Sequence, residues 1–216
     1  MKSLAHLFRS YEYLVDKADA AFQKMETEHA ACIKCERHCS DCCHAVFGLF
    51  LIEAAYLKQQ FDQLAQEQIK GALLRCNKTE RDLKRLEKML QTYEDDPNMQ
   101  AYAMARGRVR CPLLDENEDC ILYAHRPITC RTYGIPTKIK GKARVCGKAK
   151  FKAGENYPFF DLDGIYSDLH VLSKEFLNGR EKGDPEKASF LISVAKVIST
   201  PEEDLLHEVF ERSDSV

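Results

Sequence analysis

Between Cys32 and Cys43 the chain reads CIKCERHCSDCC, five cysteines in twelve residues, and five more follow at Cys76, Cys111, Cys120, Cys130 and Cys146. Thiolates are strong, soft ligands for zinc and iron, and spacers of two or three residues let neighbouring cysteines converge on one ion. The adjacent pair Cys42 and Cys43 adds a constraint, because successive side chains leave the backbone in different directions. Either two metals share this loop or the site is polynuclear. From Cys111 onward the spacings are nine, ten and sixteen residues. These are too wide for a zinc ribbon or finger, which presents its ligands in close pairs, so the fold has to gather the second group in space.

Taken together, CERHCSDCC, CPLLDENEDCILYAHRPITCR and the later Cys146 resemble the cysteine-cluster family named for its CxxCxxCC signature (YkgJ-like), whose domains are associated with zinc or iron chelation. The likeness spans about 115 residues and includes elements similar to the family's CP-x-L, C-x-I-Y and RP-x-x-CR, with Leu122 where an Ile is frequent. It carries eight cysteines over as metal ligands: Cys35, Cys39, Cys42, Cys43, Cys111, Cys120, Cys130 and Cys146. Cys32 and Cys76 fall outside. One spacing departs from the family, since three residues separate Cys35 from Cys39 where two are usual, so Cys32 competes with Cys35 for the first ligand position. The resemblance implies a cofactor of zinc or iron, or an iron–sulfur cluster. Some relatives are flagellin lysine N-methylases or iron–sulfur oxidoreductases, which makes an enzyme of either kind the alternative to a metal-binding protein.

Plainer roles compete for the other conspicuous residues. Cys76 lies in a helical pattern and reads as a small buried hydrophobe. His38, His44 and His125 adjoin cysteines but read as surface or supporting groups, and Arg126 and Arg131 as structural cations bonding thiolates, carbonyls or acidic helices. Tyr123 and Tyr133 read as packing residues with a polar tip. The tract DLDG at 161–164 lacks the later ligands of a calcium loop. No phosphate-binding glycine loop, dinucleotide fingerprint or glycine-rich methyl-donor motif is present, which tempers the methylase analogy.

The net charge of -2 is unevenly spread: residues 106–152 carry twelve Lys and Arg against four Asp and Glu. Four thiolates on a divalent ion are net negative, so cations in the segment that holds four of the cysteines would stabilise them. A basic segment would also attract an acidic protein or anionic small-molecule partner. Without a recognised nucleic-acid motif or interleaved aromatics, the charge does not argue for nucleic acid. The N-terminal stretch lacks the apolar core and cleavage site of a secretory signal, and the longest apolar run, 45–52, is far short of a membrane span. A cytoplasmic protein with no membrane partner is expected, with its cysteines reduced.

These residues need a scaffold, and periodicity predicts a mainly α fold in which helices surround an irregular, cysteine-rich metal-binding centre. The chain reads as one domain over 1–216: an N-terminal helix in 1–30, a cysteine-cluster core over 32–150 and C-terminal helices over 160–216. Apolar residues recur at three- and four-residue intervals from Leu4 to Met25, predicting a helix over 3–28. A second is predicted over 48–75, with a third starting near Thr79 or continuous with it, and a short one between Pro97 and Arg110. Residues 111–136, with three prolines, read as a metal-organised loop, and TKIKGKARV as a small β-hairpin or a solvated loop. Further helices are expected up to Asn178–Gly179, over 185–198, and after Thr200–Pro201.

Overall fold

In the computed structural model, which describes residues 3–36, 38–178, 184–201 and 204, the Ser3 hydroxyl accepts the His6 amide and opens helix α1 (Leu4–His29). Its buried face, Leu7, Phe8, Tyr11, Leu14, Ala18 and Met25, follows the predicted stripe. This face packs on α2 (Leu51–Phe61), α5 (Ile128–Thr132) and α6 (Leu162–Asn178) in the main core. The mainly α reading holds, with seven α-helices and a small three-stranded sheet among the described residues.

Three boundaries differ from expectation. The helix predicted over 48–75 is broken at 62–65, leaving α2 and a separate α3 (Gln66–Gln91). Residues 51–58 of α2 are all buried, so α2 has no single apolar stripe whose end could be read. Thr79 does not start a helix. It lies buried inside α3, where its hydroxyl bonds the carbonyls of Arg75 and Arg110 instead of capping. The helix predicted over 185–198 becomes a 3-10 turn, Pro185–Ser189, and a short α7 (Val194–Ser199). Tertiary pairing overrides propensity here: Ile192 and Leu49 exchange both backbone hydrogen bonds, at 2.8 and 2.9 Å, which holds 190–193 extended. Gly48 permits this approach, since a Cβ there would come within 2.5 Å of Leu191 Cβ. The helix expected after Thr200–Pro201, and Gly179 at the end of α6, lie outside the described residues.

The remaining elements surround the cysteine-rich centre. Helix α4 (Pro97–Arg106) is capped by Asp96, which accepts the Asn98 and Met99 amides, and it ends at Gly107. The 111–136 stretch is irregular apart from 3-10 geometry at Tyr123–His125 and the short α5. TKIKGKARV forms the hairpin of β1 (Thr137–Ile139) and β2 (Lys142–Arg144), turning through Lys140 and Gly141, both at positive φ. A two-residue β3 (Phe160–Asp161) joins β1 in parallel. The DLDG tract supports this hairpin, because the Asp163 carboxylate accepts the turn amides of Lys140 and Gly141.

Glu53 locks this scaffold to the centre. It is almost fully buried, and its two carboxylate oxygens accept the amides of Phe50 and Ile128, tying the start of α2 to α5. Burial raises its pKa from 4.5 to about 7, against the lowering effect of those two amides. The folded value therefore exceeds the unfolded one, and the native state holds the proton more tightly. The associated stability is fully present below about pH 4.5 and is lost as pH rises through about 7. Glu53→Gln, which mimics the protonated acid, is expected to flatten the decline of urea midpoints of the metal-free chain between about pH 5 and 7. An unchanged pH slope in the variant would show that Glu53 does not titrate in this window.

Candidate metal centre

Cysteines far apart in sequence meet because two backbone segments pair. Residues 41–44 form a 3-10 turn, after which the Val109 amide bonds the His44 carbonyl at 3.0 Å and the Cys111 amide bonds the Cys43 carbonyl at 2.7 Å. Cys111 is thereby fixed beside Cys43, 68 residues earlier in the chain. The 111–120 loop closes on itself through the Ile121 amide on the Leu113 carbonyl, and the Asp115 side chain accepts the Asn117 and Asp119 amides. Arg110 pairs with Glu118, which also accepts the Ser40 hydroxyl, so the loop is stapled to the first cysteine segment.

Cys130 sits on α5, whose position Arg131 fixes. That guanidinium bonds Asp19 on α1 and the carbonyls of Ala124 and Arg126, the structural role expected of it. Cys146 follows the hairpin, and the Lys150 amide bonds the Cys32 carbonyl to bring this end back to the first segment.

The result is a cavity of about 630 Å³ lined by Cys35, Cys39, Cys42, Cys43, Cys120, Cys130 and Cys146. Cys111 lines a smaller, mainly apolar cavity of about 60 Å³ behind it, whose wall also includes Cys42, Cys43, Cys120 and Cys130. All eight cysteines named from the sequence thus face one of two adjoining spaces. Cys42 and Cys43 face both, despite being consecutive. Cys32 lines neither cavity, and Cys76 is buried in the α3 core with its thiol near the Ala195 carbonyl. His38 is on the rim of the larger cavity, paired with Asp119. His44 bonds the Ser40 carbonyl and His125 packs near Tyr56, both away from these spaces.

The thiols strongly perturb one another. The Cys43 thiol, hydrogen-bonded to the Cys120 and Cys42 sulfurs and buried, is held firmly protonated. These two bonds lower Cys42 to about 7 and also lower Cys120. Cys35, an exposed residue whose sulfur is partly desolvated where it reaches the cavity, is pushed up to about 11 by that desolvation and by the charges of Cys39, Cys146 and Cys42, and Cys111 to about 12 chiefly by burial. Burial raises Cys130 and Cys146 as well. A metal ion would relieve this mutual repulsion by replacing protons with a shared positive charge.

Three features of the centre were not read from the sequence. The amides of Leu113, Leu122 and Lys148 point at the sulfurs of Cys111, Cys120 and Cys146, in each case from two residues onward. Such donors favour the thiolate. Turn-forming Pro112 and Gly147, directly after two of these cysteines, were the available signal. Asp41 is buried with one oxygen 3.3 Å from Cys146 Sγ and the other 2.8 Å from Arg108. Although burial pushes its pKa up, the Cys146 thiol and Arg108 hold it below the usual carboxylate range. Arg126 stacks on Tyr123 at 3.7 Å, has no carboxylate partner among the described residues, and lowers the pKa of Cys42 and Cys120. Tyr133, read as a packing residue with a polar tip, is half-buried and its hydroxyl accepts a hydrogen bond from Arg108.

Eight thiols with convergent amide donors and a nearby guanidinium fit zinc or iron in their chemistry. Among the described residues, no three His, Cys, Asp or Glu side chains are already arranged around an ion position. Also among the described residues, no helix is long and apolar enough to cross a membrane.

Neither curated proteins nor solved structures give a match to this chain. A family model does match, over residues 34–147, for a domain described as "putative zinc- or iron-chelating". That span begins between Cys32 and Cys35 and ends just after Cys146, so it contains the eight convergent cysteines and leaves Cys32 out. Because the match covers more than half of its length, this chain belongs to the CxxCxxCC family.

Proposed function

We propose that this protein binds zinc or iron in a reducing, cytoplasmic setting through Cys35, Cys39, Cys42, Cys43, Cys111, Cys120, Cys130 and Cys146. The observation that carries the reading is the convergence of these thiols from two distant segments on two adjoining cavities. All ten cysteines are free, as a thiolate site in a reducing compartment requires. Bound metal would supply the cross-link between segments that otherwise meet through a few hydrogen bonds, coupling metal binding to the folding of the irregular centre.

A second reading, an iron–sulfur enzyme acting in redox or methyl-transfer chemistry, is favoured by one observation. The larger cavity extends well past the thiols to Phe22 and Gln23 on α1, with a volume suited to a small molecule or an inserted side chain. Anaerobic purification with metal and sulfide analysis separates the two. Zinc without sulfide supports the first reading and removes the iron–sulfur one, whereas iron with acid-labile sulfide supports the second. If the chain carries no metal and a chelator leaves its helicity and melting temperature unchanged, metal-coupled folding is wrong.

The choice of Cys35 over Cys32 has its own support. Cys35 reaches the cavity beside Gly134, where an added Cβ would fall 2.1 Å from its sulfur. Gly134→Ala should therefore expel the Cys35 thiol from its position while costing the metal-free fold little, because the displaced atom ends an exposed side chain. The expected result is weaker metal binding by about tenfold or more with a near-wild-type melting temperature. Cys32→Ser should leave metal content unchanged, and a loss as large as that from Cys35→Ser would reverse the assignment.

A further inference from the structure

From Cys120 to Gly154 the chain contains no Asp or Glu, and the later part of that stretch carries Lys140, Lys142, Arg144, Lys148, Lys150 and Lys152, all exposed. Lys138 pairs with Asp161 at 3.1 Å, whereas none of these six makes an ion pair among the described residues. The strand order β2-β1-β3 puts β2 at the edge of the sheet, and no described residue bonds its backbone from the outer side. Residues 142–145 read Lys, Ala, Arg, Val and are all exposed. Their alternation sets two cations on one face of the edge and the apolar Ala143 and Val145 on the other.

The strip is ordered before any partner arrives. Asp163 holds the turn at Lys140 and Gly141, and the Lys150 amide bonds the Cys32 carbonyl at 2.8 Å. Such pre-ordering lowers the cost of binding. Its far end reaches the large cavity, which Cys146, Lys148 and Ala149 help to line. Lysine on an edge strand guards it against chance pairing, and Lys142 fits that role. Lys148, Lys150 and Lys152 lie beyond β2, where there is no edge to guard. Nucleic acid suits the strip less well. Phe151 and Tyr157 pack edge to face on each other at 4.9 Å, and Tyr157 on His29 at 5.3 Å, so these rings are taken up by one another rather than offered to a base. A long polyanion would also run onto the rest of the chain, which is acidic outside residues 106–152.

We propose that the hairpin and residues 146–152 form a docking surface for an acidic polypeptide segment of another protein, bound in extended form along the free edge of β2. Its acidic side chains would meet Lys142 and Arg144 and its alternate apolar ones Ala143 and Val145, with the basic run beyond the strand extending the contact to the mouth of the cysteine-lined cavity. This surface does not depend on the thiols being metal ligands.

The test is fluorescence anisotropy of the full chain, kept anaerobic, with a fluorescein-labelled peptide of alternating Glu and Val. Saturable binding is expected, weakening as NaCl rises from about 50 to 300 mM. Lys142→Glu combined with Arg144→Glu should weaken it by about tenfold or more, whereas Lys84→Glu combined with Lys88→Glu, at exposed positions of α3, should leave it unchanged. N-methylation at alternate residues blocks strand pairing without changing charge, so a peptide so modified should also bind the wild-type chain about tenfold or more weakly. That comparison needs no variant and stands even if charge reversal disturbs the hairpin. Equal binding of the two peptides, an equal loss from the α3 variant, or tighter binding of an oligothymidine strand or of phosphatidylserine vesicles would overturn the proposal.

Discussion

Two backbone hydrogen bonds, from Val109 to His44 and from Cys111 to Cys43, connect the two halves of the cysteine centre directly, and the other contacts around it build on that connection. The antiparallel pairing of Ala45 with Arg108 is only one bridge long. A contact this short is marginal by itself, because it orders two loops for a few hydrogen bonds. Its neighbours reinforce it with charge-assisted bonds: Arg108 to Asp41 on one side, and on the other Arg110 to Glu118, which also accepts the Ser40 hydroxyl. The chain between the paired segments is taken up by α2, α3 and α4, which leave the centre and return to it.

The helices act on this centre through a small number of buried polar links. Glu53 receives the first amide of α5, Arg131 at the other end of α5 reaches Asp19 on α1, and Thr79 on α3 bonds the Arg110 carbonyl. Each link joins a helix to a residue one or two positions from a cysteine. Hydrophobic burial supplies the bulk of the stability, while these directional bonds set where the thiols stand. The basic excess around the cysteines is thus divided among several roles. Arg108, Arg110 and Arg131 are engaged with carboxylates, and Arg126 places its charge among the thiols. The strand Lys142–Arg144 carries its charges into solvent.

Much of this was legible in the sequence, for physical reasons that differ by element. Helix α1 shows its stripe because only one of its faces is buried, and the hairpin shows its turn because Lys140–Gly141 must take positive φ. The break at 62–65 was hidden because α2 is buried on nearly every face and the tetrapeptide DQLA holds no glycine or proline. The extended stretch at 190–193 is imposed by Leu49, more than a hundred residues away, which no local pattern reveals. In the centre, cysteine spacing disclosed the donor atoms. The amides aimed at sulfur, the Asp41 contact and the stacking of Arg126 depend on loop conformation, and residue type alone does not encode it.

The central claim is that both cysteine segments serve one metal centre, and mass-spectrometric mapping of thiol alkylation with and without bound zinc or iron tests it most directly. Metal should protect Cys39, Cys42 and Cys43 together with Cys120 and Cys130, leaving Cys32 as reactive as before. Protection confined to the residues of one segment, or shared equally by Cys32, would contradict a site assembled across the fold.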